Sequence, residues 1–193
     1  MKNLIAELRT SIAATLLLAV LCCGIYPVVV WAVGQGLFSR KANGSLVKVD
    51  GNVVGSSLLA QGFTAPKYFH PRPSAAGQGY DAASSSGTNL GPTSKKLIED
   101  VKQRVADYRT ENVLPPDARV PADAVTSSAS GLDPHISVRN AFLQAARVAK
   151  ARGIGEKEVM AKVESNTEGR TLGFLGEPRV NVLTLNLSLD GKL

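Results

Sequence analysis

Cysteine is nearly missing from this 193-residue chain, and its two cysteines, Cys22 and Cys23, both lie in one long apolar run. The remainder has no thiol, so it is neither a disulfide-stabilised scaffold nor a thiolate metal site. Histidine is equally scarce, and His70 and His135 form neither an H-x-x-x-H nor an H-E-x-x-H motif. This spacing gives no support to a metal site, and we expect no metal and no covalent cofactor.

Aromatic residues make up only 5% of the chain, and its 22 Lys and Arg residues are scattered among 16 Asp and Glu residues. A nucleic-acid-binding protein more often shows a basic stripe or cluster with interleaved aromatics. The composition therefore argues against nucleic acid as a partner. The formal net charge of +6 is better suited to an anionic membrane surface or an acidic partner.

The apolar run is long and uncharged. No charged residue occurs in residues 11–39, and residues 12–33 are almost entirely apolar. About 20 such residues cross a ~30 Å hydrocarbon layer as a helix. A cleaved signal peptide is the alternative, but the run exceeds an h-region of about 7–15 residues and lacks a small-x-small cleavage site. We expect a short N-terminus (1–11), a transmembrane helix (12–33), a linker (34–44) and one domain (45–193).

Periodicity predicts strands at both ends of residues 45–193 and helices between them. The expected fold is therefore α+β, with a small mixed or antiparallel sheet and about three helices. The predicted elements are a hairpin over 45–59, helices over 95–108, 138–152 and 156–164, a short strand at 125–126, and a terminal strand over 179–189. The tract 61–93 is rich in Gly, Pro and Ser but carries four aromatics, which favours an ordered, functional loop over a disordered linker.

The stretch SGLDPHIS (130–137) places Asp133 two residues before His135. A carboxylate near an imidazole can orient it as a general base, but triad members come from separate segments, and no G-x-S-x-G elbow is present. The alternative is structural: Asp133 accepts local backbone N–H groups in an Asx turn, and Ser137 caps the next helix. A membrane-anchored extracytoplasmic hydrolase using Asp133 and His135 stays open as the rival function.

The long loop offers a second candidate site. Its aromatic and Arg side chains suit a docking surface, because such residues often anchor interfaces, although the aromatics could equally close the core. No G-x-x-x-x-G-K-[ST] phosphate loop is present. Gly87, Asn89 and Gly91 could expose backbone N–H groups to a nucleotide, but that pattern is weak.

Four unusual blocks resemble the C subunit of the bacterial Kdp-type potassium-transporting ATPase: YFHPRPSA (68–75), SGTNLGPTS (86–94), SGLDPHIS (130–137) and LGEPRVNVLTLNLSLD (175–190). They follow matches to its IYP (25–27) and ANGSL (42–46) elements, so the resemblance spans nearly the whole chain. Residues 83–88 are less Gly-rich than is usual, and Ser94 stands where Asn is common. The signature residues, our candidate subunit contacts, are Tyr68, Phe69, His70, Arg72, Asn89, Asp133, His135, Arg179 and Asn181.

The resemblance implies a single-pass subunit of the cell inner membrane, with its C-terminal domain on the extracytoplasmic side. Its implied partners are a channel-like potassium-translocating subunit, a P-type ATP-hydrolysing subunit, a small single-helix subunit and the lipid bilayer. The C subunit would have no catalytic residues. The family is described as a catalytic chaperone that raises ATP affinity, and also as an assembly or potassium-entry factor. Since an external domain cannot touch cytosolic ATP, we expect stabilisation of the complex, with ATP bound at most through the complex.

Overall fold

The computed structural model describes residues 2–192 in two compact units, which divide between Leu46 and Val47. The first unit is helical: α1 (Lys2–Ala19) continues through a π-helical segment (Val20–Ile25) into α2 (Tyr26–Ala42). Pro27, in the first turn of α2, has no backbone N–H to donate, and the wider π-helical turn before it accommodates the missing bond. Residues 34–42, expected to belong to a linker, are part of α2, which is kinked at Phe38, where φ is −134°.

The helix of the first unit is long and apolar enough to cross a membrane. It runs over Asn3–Ala42, 40 residues, with a mean hydropathy of 2.5 in its most apolar window, and that window is wholly unburied. A helix from the core of a soluble protein would bury such a surface, because exposing apolar area to water is unfavourable. The predicted apolar helix over 12–33 is thus confirmed as a candidate membrane span.

The second unit is α+β, as predicted. Its first element is a hairpin of β1 (Leu46–Val49) and β2 (Asn52–Ser56), joined by Asp50 and Gly51 at φ values of 51° and 81°. Positive φ at both turn residues matches the right-handed twist of hairpin strands. The remaining elements are α3 (Lys95–Glu111), α4 (Ala122–Val125), β3 (His135–Ser137), α5 (Val138–Arg152), α6 (Glu156–Ser165), β4 (Thr167–Glu168), β5 (Arg179–Asn181) and α7 (Val182–Leu189).

Three strands form a small antiparallel sheet in the order β3-β5-β4. The core packs α5, α6 and α7 against this sheet, and its buried members are Phe69, Ile136, Ala141, Ala145, Val148, Ala149, Val159, Val163, Val180, Val182 and Leu185. All of them come from the second unit. Phe69 comes from the long loop rather than from a helix or strand, so the loop is part of the folded domain.

The three predicted helices of the domain are confirmed as α3, α5 and α6. The predicted cap of α5 is also confirmed, since Ser137 Oγ accepts the Asn140 N–H at 3.1 Å. At the start of α3, Ser94 Oγ accepts the Leu97 N–H at 3.4 Å. Gly153 ends α5 with a φ of 68°, a left-handed conformation that glycine adopts without steric cost.

Of the predicted strands, the one at 125–126 is wrong and the terminal one is correct only at its start. Val125 ends the short helix α4, and the Thr126 hydroxyl donates back to the Ala122 carbonyl at 2.7 Å. The predicted terminal strand over 179–189 is a strand only at Arg179–Asn181, after which α7 begins. No residue of α7 is exposed, so its leucines pack on every side and their alternation does not mark one face of a sheet.

Candidate functional site

Two buried amide side chains hold the start of the long loop. Asn186 of α7 accepts the Phe69 N–H at 2.8 Å and donates to the Phe69 carbonyl at 3.0 Å. Gln144 of α5 makes the same pair of hydrogen bonds with the backbone of His70. It accepts the His70 N–H at 2.7 Å and donates to the His70 carbonyl at 3.1 Å. The two amides take the place of the partners that a neighbouring strand would supply, so the backbone N–H and C=O groups of Phe69 and His70 are satisfied although these residues lie in a loop.

Arg147 of α5 clamps the residues just before this segment. Its Nη1 donates to the carbonyls of Pro66 at 2.7 Å and Tyr68 at 3.0 Å, and its Nε donates to Asn112 Oδ1 at 3.0 Å. The side chain is 8% exposed, and this burial lowers the pKa of the guanidinium against the opposing effect of Glu111. A buried cation of this kind is tolerated because acceptors surround it.

His70 joins the long loop to α3. Its Nδ1 lies 2.8 Å from Glu111 Oε1, while its Nε2 lies 3.2 Å from the Ala65 carbonyl. The hydrogen bond from His70 is the main cause that lowers the pKa of Glu111. Both ring nitrogens of His70 are thus engaged in holding the loop.

Tyr68 meets the C-terminal end of the domain. Its hydroxyl donates to Asp190 Oδ2 at 3.1 Å, and Arg152, which pairs with Asp190 at 2.9 Å, lies 5.3 Å from the centre of the Tyr68 ring. Phe63 packs edge-on against the same ring at 5.3 Å. Tyr68 therefore combines a cation–π contact with a hydrogen bond, and it remains half-buried.

The stretch SGLDPHIS forms the structural turn that was the alternative to an active site. Asp133 Oδ1 accepts the His135 N–H at 3.0 Å, the predicted Asx turn, and Asp133 Oδ2 accepts Arg72 Nη1 at 2.9 Å. Partial burial works against the charge on Asp133. Hydrogen bonds from the His135 side chain and backbone, and from Arg72, outweigh burial and lower the pKa of Asp133 to about 2. Asp133 is thus a fixed anionic acceptor that ties the turn to the long loop.

Close backbone packing makes the turn depend on its glycine. Gly131 has a φ of 67°, and a Cβ there would lie 2.6 Å from the Ser86 carbonyl oxygen and 2.7 Å from the Ala76 nitrogen. The Ser86 N–H donates to the Ser130 carbonyl at 3.0 Å, and the Ser74 hydroxyl donates to the Gly131 carbonyl at 2.6 Å. Two parts of the long loop therefore meet at SGLDPHIS.

Ser137, at the end of the stretch, has a partner that sequence analysis missed. Asp123 of α4 accepts the Ser137 N–H at 2.7 Å, the Ser137 hydroxyl at 2.9 Å and Asn140 Nδ2 at 2.9 Å. Because an aspartate at a helix N-terminus also interacts favourably with the helix dipole, α4 braces the start of α5.

Of the remaining signature residues, His135, Arg179 and Asn181 belong to the sheet and Asn89 to the long loop. His135 Nε2 is 3.9 Å from Glu168 Oε2, and Glu168 pairs with Arg179 Nη2 at 3.0 Å. Asn181 caps α7 and donates from Nδ2 to the Ser57 carbonyl at 2.8 Å. Asn89 is exposed on the long loop with a φ of 53°, a left-handed conformation that Asn tolerates.

A cleft of about 480 Å³ is lined by Arg72, Asp133, His135 and Arg179, and also by Glu177. The Nε atoms of Arg72 and Arg179 are buried and have no hydrogen-bond partner among residues 2–192. Within those same residues, no three His, Cys, Asp or Glu side chains are grouped as a metal site would need.

The geometry gives the hydrolase hypothesis little support. In the described part of the chain, the side-chain ion pairs of His135 are with Asp133 and Glu168, which are not attacking hydroxyl or thiol groups.

Comparison with known proteins identifies the family. A family model described as the c chain of the K+-transporting ATPase, KdpC, matches residues 8–191. The KdpC subunit of a potassium-transporting ATPase from Mycobacterium tuberculosis (strain ATCC 25618 / H37Rv) is 56% identical over 184 residues, covering 95% of this chain and 97% of the relative. This chain belongs to the KdpC family. Its similarity to the KdpC subunit of Koribacter versatilis (strain Ellin345) is 50% over 190 residues, covering 98% of this chain and 95% of the relative.

Family membership confirms the resemblance found in the blocks, all of which lie within the matched residues 8–191. In this KdpC-family chain, Tyr68, Phe69 and His70 are part of the folded domain, and the Phe69 ring, with 0% exposure, is not accessible to a partner. Sequence analysis missed the side chains that hold them. Asn140, Gln144 and Arg147 recur at helical spacing beside the apolar face of α5, and this polar stripe was the available signal.

Proposed function

We propose that this chain is an accessory subunit of a potassium-transporting ATPase complex, which it stabilises and whose K+ transport it supports. The family relationship over residues 8–191 carries the proposal. The relatives are themselves named as subunits of a potassium-transporting ATPase. ATP hydrolysis in this proposal belongs to a P-type partner subunit, and the KdpC-family chain contributes no catalytic residue.

The proposed placement is single-pass in the cell inner membrane, with the second unit on the extracytoplasmic side. The exposed apolar helix Asn3–Ala42 supports a role as membrane anchor, because contact with lipid or with other apolar helices removes its apolar surface from water. Its proposed neighbours are the channel-like potassium-translocating subunit, the P-type subunit, the small single-helix subunit and lipid.

The proposed role of the signature residues is to build a rigid docking face. Arg72, Asp133 and His135 fix the long loop against the sheet through short polar contacts. A surface that is already ordered loses less entropy on binding.

The proposal is tested by expressing the complex in three forms: with the intact chain, with a version of the chain that lacks residues 1–38, and without the chain. We expect the intact chain to co-purify and to support K+-stimulated ATPase activity and K+ uptake, and the shortened chain to be retained poorly. Unchanged K+ uptake without the chain would refute the proposal. Saturable ATP binding to the purified intact chain would instead support the chaperone role described for the family.

The rival hydrolase function is tested with the same preparation. The purified intact chain is assayed for ester, amide and phosphate hydrolysis, and we expect no turnover that depends on His135. An activity that His135→Ala abolishes while the circular dichroism spectrum is unchanged would favour the hydrolase.

A further inference from the structure

An exposed apolar tip connects β4 with β5. Leu172, Phe174 and Leu175, here called the apolar tip, are 78%, 68% and 48% exposed, and every residue from 168 to 178 is exposed. The other large apolar residues exposed over residues 46–192 lie singly in the sequence or in one adjacent pair: Leu46, Val53, Leu58, Leu59, Ile98 and Val113. A concentration of bulky apolar side chains at one projecting point is typical of an interaction site.

The apolar tip is held in a defined shape. Thr171 and Leu175 exchange two backbone hydrogen bonds of 2.9 Å, and Gly173 N–H donates to the Arg170 carbonyl at 3.1 Å. Leu172 has a φ of 55°, in the left-handed region that is disfavoured for a non-glycine residue. Backbone strain of this kind persists where the surrounding structure enforces it, and it clusters at functional contacts. The hairpin thus presents its leucines and phenylalanine in water, in a strained turn.

The charges beside the apolar tip cancel. Arg170 pairs with Glu177 at 2.7 Å, and Arg179 pairs with Glu168 at 3.0 Å, so the two legs of the hairpin carry two cations and two anions. Segments that insert into anionic lipid surfaces usually add an excess of Lys and Arg. An apolar centre with a balanced polar rim is instead the arrangement of a protein–protein hot spot. The charge pattern therefore favours a protein over a lipid surface.

We infer that the apolar tip inserts into an apolar pocket on another subunit of the potassium-transporting complex. The inference rests on the proposed function, because it takes the partner from the same complex. Three side chains are too few for the roughly 1,000 Å² that a specific interface buries. The tip therefore acts as an anchor within a larger contact, where a few desolvated apolar residues carry most of the binding energy.

Substitution of the tip tests the inference in the full-length chain within the complex. Leu172→Ser with Phe174→Ser removes the apolar anchor, and Leu58→Ser is the matched control, since Leu58 is 57% exposed. We expect the tip variant to be retained at least about tenfold less well at limiting concentration, with its thermal midpoint unchanged and the control retained like wild type. Equal retention of tip variant and wild type would overturn the inference alone. A wild-type chain that does not co-purify would overturn the proposed function as well.

Photo-crosslinking identifies what the tip contacts. The photoreactive residue p-benzoylphenylalanine replaces Phe174, or Leu58 as the control, in membranes that contain the assembled complex. We expect a covalent adduct between position 174 and another subunit of the complex, identified by mass spectrometry, and a much weaker adduct from position 58. Adducts from position 174 only with lipid, or only with a second copy of this chain, would overturn the inference.

Discussion

At the residue scale, Asp133 and His135 show how a motif that resembles an acid–base pair becomes a structural joint. Asp133 accepts hydrogen bonds from the His135 backbone at 3.0 Å and from Arg72 at 2.9 Å. These contacts join the SGLDPHIS turn to the long loop, two segments that are far apart in sequence. A catalytic base in the same place would need a free lone pair aimed at a substrate.

The lowered pKa of Asp133 predicts a specific loss of stability in acid. A carboxyl whose pKa falls on folding stabilises the protein above its unfolded pKa of about 3.9, and this contribution is lost as the pH falls through the folded value. With a folded pKa of about 2, we expect about 2 kcal/mol of unfolding free energy to disappear between about pH 5 and pH 2. Denaturant unfolding of the detergent-solubilised chain, followed by circular dichroism across that range, measures the loss.

Asp133→Asn should remove that part of the pH dependence and lower stability at neutral pH. Asp117→Asn is the control, because Asp117 is exposed, and it should keep the wild-type profile. If Asp133→Asn left the loss of unfolding free energy between about pH 5 and pH 2 unchanged, the ion pair with Arg72 would not be contributing to stability.

Val113 is a second residue with a testable conformation. It follows the C-cap of α3 with a φ of 53° and is 81% exposed. A β-branched side chain is disfavoured in this left-handed region, where glycine is usual. We expect Val113→Gly to raise the unfolding free energy by about 1 kcal/mol, since strain is removed and little packing is lost. Val53→Gly, on an ordinary strand backbone in β2, should lower it, and thermal unfolding compares the two.

At the scale of secondary-structure elements, α5 and α7 each contribute one buried amide that takes the place of a missing strand. Asn186 is 1% exposed and bonds both backbone groups of Phe69. We expect Asn186→Ala to lower the unfolding free energy by about 2–4 kcal/mol, because two buried backbone groups lose their partners. Asn52→Ala, at the exposed first residue of β2, should change it by less than about 0.5 kcal/mol. A small effect at Asn186 would mean that the loop backbone has other partners.

The elements that sequence analysis predicted are those with one apolar face and a clear cap. Ser137 and Gly153 delimit α5 correctly because its buried stripe recurs at helical spacing between them. The same analysis failed on α7, where Leu183, Leu185 and Leu187 are all buried although they alternate in sequence. A helix buried on every side has no polar face to mark its period. The Asn181 cap, which accepts the Thr184 N–H at 3.2 Å, was the better guide.

The candidate site was predictable as a set of segments but not as a set of contacts. The blocks located the loop and the turn, and the Asx turn at Asp133 followed from its local sequence. The partners of those blocks, such as Gln144 and Arg147, lie 74 and 79 positions from His70 and Tyr68 in the chain. Contacts over such separations depend on the packed fold, so local patterns do not specify them.

At the scale of the whole molecule, the core lies entirely in the second unit. Its buried members run from Phe69 to Leu185. We therefore expect residues 47–193 alone to unfold cooperatively, with a thermal midpoint within about 2 °C of the domain transition in the full chain. Circular dichroism on the fragment and on the detergent-solubilised chain makes the comparison. A fragment without a cooperative transition would show that the first unit is required for folding.

The same fragment separates two roles for the helix Asn3–Ala42. If the helix only tethers the domain, it raises the local concentration to the millimolar range, and excess fragment in solution should replace it. We expect fragment 47–193, added to complexes purified without the chain, to restore K+-stimulated ATPase activity at micromolar or higher concentrations, whereas the intact chain acts at about equal stoichiometry. If saturating fragment with a verified fold restored nothing, the helix would itself make contacts that the pump needs, beyond anchoring.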